Sequence, residues 1–226
     1  MLKHQLEVDD AINVGEDAAV VYPCILSANK VVILNKSFYH YCIRNNSIMA
    51  GGYRSELAGY RCIYKIIRKQ IEEYKDQKMN LMRQLNYLMI YMLLLKEPQM
   101  IIGINTEGTL MPYNNVKAGE RLVLYGGGKF GSTLHRFIEE EKLCEIVSWI
   151  DRAENISKGV ESSIKLNDMA KESYDKIVIA VLVKTVADQI QEELTAKGIE
   201  KDKMARINVT DKEITGRGEW KALFGE

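Results

Sequence analysis

Between residues 53 and 97 apolar positions recur at steps of three and four. Leu57, Tyr60, Ile63, Tyr64, Ile67, Ile71 and Tyr74 share one face of an amphipathic helix. A second helix is expected from about Lys78 to Lys96, with Leu81, Leu85, Leu88, Met89 and Met92 on one side. Its apolar face is broader, so it should be the more buried of the two. Glu97-Pro98 should end it, because the residue before a proline avoids helical angles. The stretch 51–98 therefore reads as a packed helical hairpin. The same Met-rich face is also suited to a homodimer contact.

The flanking regions follow other patterns. Residues 16–29 read as a helix entered after Gly15 and bent at Pro23. The run VVIL at 31–34 and the run SFYHY at 37–41 read as short strands, with Asn35 and Lys36 as the turn between them. Residues 99–117 carry Gly, Asn and Pro punctuation and little periodicity, so they read as a connector. A domain boundary near 118 follows.

From 118 onward strands and helices alternate. RLVLY (121–125), EIVSWID (145–151), VESSIKL (160–166) and YDKIVIAV (174–181) read as strands, and 204–209 as a last one. Phe130 to Lys142 and Val183 to Lys197 read as helices, the second burying Val186, Ile190 and Leu194. Gly198 stands where a helix C-terminal glycine belongs. Such alternation implies a parallel sheet joined by right-handed crossovers. The fold class expected is α/β: a helical N-terminal region, then a small parallel sheet with helices on both faces over 118–226.

Composition narrows the classes of function. Lys plus Arg and Asp plus Glu both number 31, so no general attraction to nucleic acid or an anionic membrane is expected. The four cysteines, Cys24, Cys42, Cys62 and Cys144, show no CxxC spacing, and no metal site is expected. The longest apolar run, Tyr87 to Leu95, has nine residues, about half of what a membrane-spanning helix needs. No signal or transit peptide is read at MLKHQLEVDD. The expected compartment is the cytoplasm, with peripheral contact to the inner membrane left open.

The strongest local chemistry lies in YGGGKFGSTLHRFI, which holds Gly126-x-Gly128-x-x-Gly131 between a strand and a helix. There Gly126 permits a tight turn, Gly128 lets a phosphate approach the backbone, and Gly131 lets the helix pack on the strand. The helix N-terminus offers free amides and partial positive charge to a pyrophosphate. Asp151 ends the next strand, 20 residues after Gly131, where a carboxylate can take ribose hydroxyls. Lys129 is not followed by Ser or Thr, so this is not a P-loop. No proton-transfer pair is expected beside the loop. Lys184 and Asp188 follow the fourth strand, on the edge where ligands sit in such sheets, although solvated helix surface accounts for both.

Tyr125–Gly131, Trp149–Asp151 and Tyr174–Val181 together resemble the small Rossmann-like modules appended to bacterial glycosyltransferases and other polysaccharide-biosynthesis proteins. A nucleotide or nucleotide-sugar ligand is what that resemblance implies. A second resemblance covers about the first 50 residues, which look like the end of the catalytic domain of family 2 glycosyltransferases. Its carriers are Gly15-Glu16-Asp17, VVIL, Tyr39-His40-Tyr41 and Arg44-Asn45-Asn46-Ser47-Ile48. It implies that Asp17, beside Glu16, is the base that takes the acceptor proton. It also implies that His40, Arg44 and Ser47 face the donor diphosphate. Without the resemblance, Glu16 and Asp17 are simply acids at a helix start, where the dipole favours them.

That family's donor-binding half and its Asp-x-Asp motif have no counterpart in these residues. The chain therefore reads as the C-terminal portion of a glycosyltransferase of cell-surface polysaccharide synthesis, not expected to transfer sugar unaided. Two other readings stay open. One is an NAD-dependent oxidoreductase or epimerase acting on a nucleotide sugar. The other is a non-enzymatic assembly or regulatory module.

Overall fold

A computed structural model of the chain describes residues 8, 12, 15–37, 57–152, 159–163, 173–208 and 210–225. The chain divides into two compact units, 1–89 with 221–226 and 90–220. The expected connector, 99–117, thus belongs to the same unit as the sheet. Among the described residues no helix is long and apolar enough to cross a membrane.

The first unit is helical. Helix α1 (Glu16–Leu26) follows Gly15, whose φ of 84° suits glycine, and carries Pro23 inside it. Helix α2 (Leu57–Ile71) buries Tyr60, Ile63, Tyr64, Ile67 and Ile71, the stripe the spacing predicts. Helix α3 (Lys78–Lys96) begins in this unit. The two helices of the hairpin meet at Tyr64, whose hydroxyl donates to Asn86 Oδ1 at 3.4 Å. Residues 221–224 of helix α7 (Gly218–Phe224) also belong to this unit. Arg61 Nε donates to the Leu223 carbonyl at 2.6 Å, and Phe224 lies 4.5 Å from the Tyr64 ring. The Tyr74 hydroxyl donates to the Leu26 carbonyl and ties α1 to the hairpin.

The expected strand VVIL is not formed. Residues 31–34 take no regular structure and stay exposed, Ile33 to 92 %. Among the described residues no strand pairs with this run, and a strand without a ladder partner leaves its amides unpaired. The second expected strand, 37–41, lies outside the described residues beyond Ser37.

The second unit is a parallel α/β sheet. Strands β1 (Gly103–Ile104) and β2 (Leu110–Met111) form a small antiparallel hairpin. Next come β3 (Arg121–Tyr125), α4 (Lys129–Glu141) and β4 (Glu145–Asp151). Short β5 (Glu161–Ser162), β6 (Lys176–Ile179), α5 (Lys184–Ala196) and β7 (Met204–Ala205) follow. Helix α6 (Asp211–Thr215) begins in a capping box of Thr210 and Glu213.

The sheet order is β5-β4-β3-β6-β7, with every pairing parallel. Strands buried on both faces must be apolar throughout, which is why RLVLY and KIVI read as continuous runs. Val123, Tyr125, Ile177 and Ile179 pack with Ala187, Ile190 and Leu194 of α5. Ala187 fills the inward place expected of Val186, which stays 37 % exposed. Helix α4 lies against β3 and β4 and buries Phe130, Leu134 and Ile138.

Candidate functional site at the glycine loop

The chain builds the sheet outward from β3. It lays β4 and β5 on one side, then crosses back to place β6 and β7 on the other. Where the order reverses, between β3 and β6, a crevice opens at the C-terminal strand ends. The loop Gly126–Gly128 leaves β3 at that point and enters α4.

The three glycines do different work. The Gly126 N–H donates to the Ile150 carbonyl at 2.8 Å, and its φ is 133°. A Cβ there would stand 2.8 Å from the Ala180 carbonyl oxygen. At Gly131 a Cβ would stand 1.9 Å from the Gly126 carbonyl oxygen. Both positions are therefore fixed by packing between loop, helix and the residues that follow β6. Gly128 is otherwise. It is the N-cap of α4, no side chain caps the helix there, and a Cβ would meet nothing within 4 Å. The open space at a helix end with uncapped amides fits a phosphate.

Asp151 stands at the end of β4, and its Oδ2 accepts the N–H of Gly127. The carboxylate expected to face a ribose thus already holds the glycine loop. Trp149 braces the same loop from β4. Its indole N–H donates to the Gly126 carbonyl at 2.8 Å, and its ring stacks on His135 at 4.3 Å.

A cleft of about 470 Å³ runs along this edge. Gly126, Gly128 and Asp151 line it, as do Lys129 and Arg152. The far wall is Val181, Leu182 and Val186, and Tyr91 and Leu95 of α3 close one side. Burial and the charge of Lys96 pull the Lys129 pKa below the ordinary lysine value. Lys129 pairs with no carboxylate among the described residues, so it is available to an anion. Arg152 Nε lies 3.5 Å from Glu193. The sequence reading uses Lys129 only to exclude a P-loop, and it assigns no role in the site to Arg152 or to the α3 residues. A basic residue directly inside the glycine loop was the available signal for Lys129.

Tyr125 and Lys129, four residues apart, both line the cleft, where no proton-transfer pair was expected. They leave from a strand end and a helix start. Burial raises the Tyr125 phenol pKa, which Ser163 beside it partly offsets, so the phenol stays protonated.

The remaining expected residues lie elsewhere. Glu16 and Asp17 are exposed in the first turn of α1, in the other unit, and the Ala18 N–H donates to Asp17 Oδ1 at 2.8 Å. His40, Arg44 and Ser47 lie outside the described residues. Lys184 and Asp188 pair with each other at 2.9 Å and do not line the glycine cleft. Cys24, Cys62 and Cys144 are free thiols, and burial raises the pKa of Cys144. Comparison of the chain with protein-family models, curated proteins and solved structures finds no match.

Proposed function

We propose that unit 90–220 binds a nucleotide or nucleotide-sugar in the glycine-loop cleft. We further propose that the chain is the C-terminal portion of a glycosyltransferase of cell-surface polysaccharide synthesis. The first reading rests on one observation. An open helix N-terminus with no side-chain cap, the cation Lys129, which pairs with no carboxylate among the described residues, and the carboxylate of Asp151 line the cleft at the sheet's topological switch point. The second rests on the resemblance of the first 50 residues alone.

Each group has a place in such binding. The amides at the start of α4 and the Lys129 ammonium meet the diphosphate, where both fixed dipole and charge favour an anion. Asp151 accepts ribose hydroxyls while keeping the loop in place. The apolar wall from Val181 to Val186 receives what lies beyond the diphosphate.

The test is a thermal-shift screen with UDP, UDP-sugars, CDP-sugars, NAD and NADP on the wild type and Gly128→Ala. A ligand at 100 times its dissociation constant raises stability by about 2.7 kcal/mol. A shift with a nucleotide or nucleotide-sugar that Gly128→Ala removes supports the reading. A shift with NAD alone favours the oxidoreductase instead, and no shift with any of them sinks nucleotide binding.

A further inference from the structure

A second cleft, of about 390 Å³, lies on the same unit beyond β6 and β7. Six of its eight lining residues are polar: Asn114, Asn115, Lys184, Gln191, Arg206 and Asn208. None of them lines the glycine cleft. Its volume is within the range of small-molecule sites, which begins at about 300 Å³.

Two long-range contacts hold this cleft in shape. Asn115 Nδ2 donates to the Met204 carbonyl at 2.9 Å. The Asn208 N–H donates to the Pro112 carbonyl at 3.1 Å. The segment after β2 is thereby tied both to β7 and to the segment that follows it.

Arg206 is the oriented group. Its Nη1 donates to Gln191 Oε1 at 2.7 Å and lies 2.6 Å from Asp188 Oδ1. Both contacts fall on one nitrogen. The Nε and Nη2 edge, the one that grips a carboxylate or phosphate with two parallel bonds, has no partner among the described residues. Asp188 also takes Lys184 at 2.9 Å, so one carboxylate faces two cations and the cluster keeps a net positive charge. The side-chain amides of Asn114 and Asn208 make no hydrogen bond with the described residues. Each amide offers both donors and an acceptor, the complement of a hydroxyl.

We infer that this cleft binds an acidic monosaccharide unit. Its carboxylate or phosphate lies on the free edge of Arg206, and its ring hydroxyls lie on the amides of Asn114 and Asn208. The inference does not depend on the glycine cleft holding a nucleotide.

The test is a ¹H–¹⁵N titration of the full chain, without nucleotide, using D-glucuronate, glucose 1-phosphate, D-glucose and sulfate. The expected result is a shift of the Asn114 and Asn208 side-chain amide signals with either acidic sugar, and little response to glucose. Arg206→Gln keeps a polar side chain but loses the charged fork, and should weaken binding by about tenfold. Asn114→Ala and Asn208→Ala, both at exposed side chains, should weaken it further with folding intact. Gly128→Ala should leave it unchanged, which separates this site from the glycine cleft. Three outcomes overturn the proposal: no shift at these amides, sulfate as effective as the acidic sugars, or Arg206→Gln without effect.

Discussion

The carboxylate of Asp151, at the end of β4, accepts the backbone N–H of Gly127, in the loop that leaves β3. One side chain thereby fixes the shape of the glycine loop and stands in the ligand cleft. The two roles separate by substitution. Asp151→Asn keeps an acceptor for the Gly127 N–H, so stability should stay within about 0.5 kcal/mol of wild type. Asp151→Ala leaves that amide without a partner and should cost about 1–2 kcal/mol. Urea denaturation of the two variants measures the difference. Nucleotide affinity should fall by about tenfold in both, because the charged acceptor is lost.

Gly131 and Gly128 should respond in opposite ways. Gly131→Ala places a Cβ 1.9 Å from the Gly126 carbonyl oxygen, a backbone atom that cannot step aside cheaply. It should cost about 3 kcal/mol or more. Gly128→Ala meets nothing within 4 Å and should cost no more than about 1 kcal/mol, the usual penalty for alanine at an N-cap. Thermal denaturation orders the two. Only the second variant is stable enough to report on ligand binding alone.

Lys129 gives the cleft a pH signature. Burial and Lys96 disfavour its charged form, so its folded pKa lies below the ordinary 10.5. A phosphate ligand requires that charge. Affinity measured by calorimetry should therefore be highest below the Lys129 pKa and fall as pH rises through it, earlier than for an ordinary lysine. Lys129→Met should weaken binding and remove the alkaline decline. An unchanged profile in that variant contradicts a role for Lys129.

Asp175 and Arg121 join the starts of β6 and β3. The Arg121 N–H donates to Asp175 Oδ2 at 2.8 Å, and the Asp175 N–H returns a bond to the Arg121 carbonyl at 2.8 Å. The Arg121 amide, then its guanidinium, holds the Asp175 carboxyl below its ordinary 3.8. The stabilisation is therefore complete above that ordinary value and lost as pH falls through the depressed one. Acid titration of the folded state should show the wild type losing stability in this window, and Asp175→Asn losing less.

Much of the sheet is legible in the sequence for a physical reason. Strands buried on both faces cannot alternate, so RLVLY and the core of YDKIVIAV stand out as apolar runs between turn residues. The α2 stripe is legible because one face of that helix is buried and the other is not. Short elements escape the same logic. Strands β1 and β2 have two residues each, too few for any period, and they are held instead by the Asn105 side chain, which accepts the N–H groups of Glu107 and Thr109. VVIL shows the converse: β-branched residues make a strand only where they pack into a sheet, and among the described residues none pairs with it. Helix α6 was missed although Thr210 and Glu213 carry the spacing of a capping box.

The site divides along the same line. Gly126, Gly128, Gly131 and Asp151 come together because local rules place them: a strand, a turn, a helix and the end of the next strand. Tyr91, Leu95, Val181 and Val186 reach the cleft through tertiary packing, which no local spacing encodes.

Isothermal titration of the full chain with UDP, UDP-sugars, CDP-sugars and NAD, beside Gly128→Ala, tests the central claim most directly. The account predicts one-site binding of a nucleotide or nucleotide-sugar that the alanine at 128 weakens by at least about tenfold while the fold persists. Heats of dilution alone for every one of these ligands, or binding that Gly128→Ala leaves untouched, would contradict it.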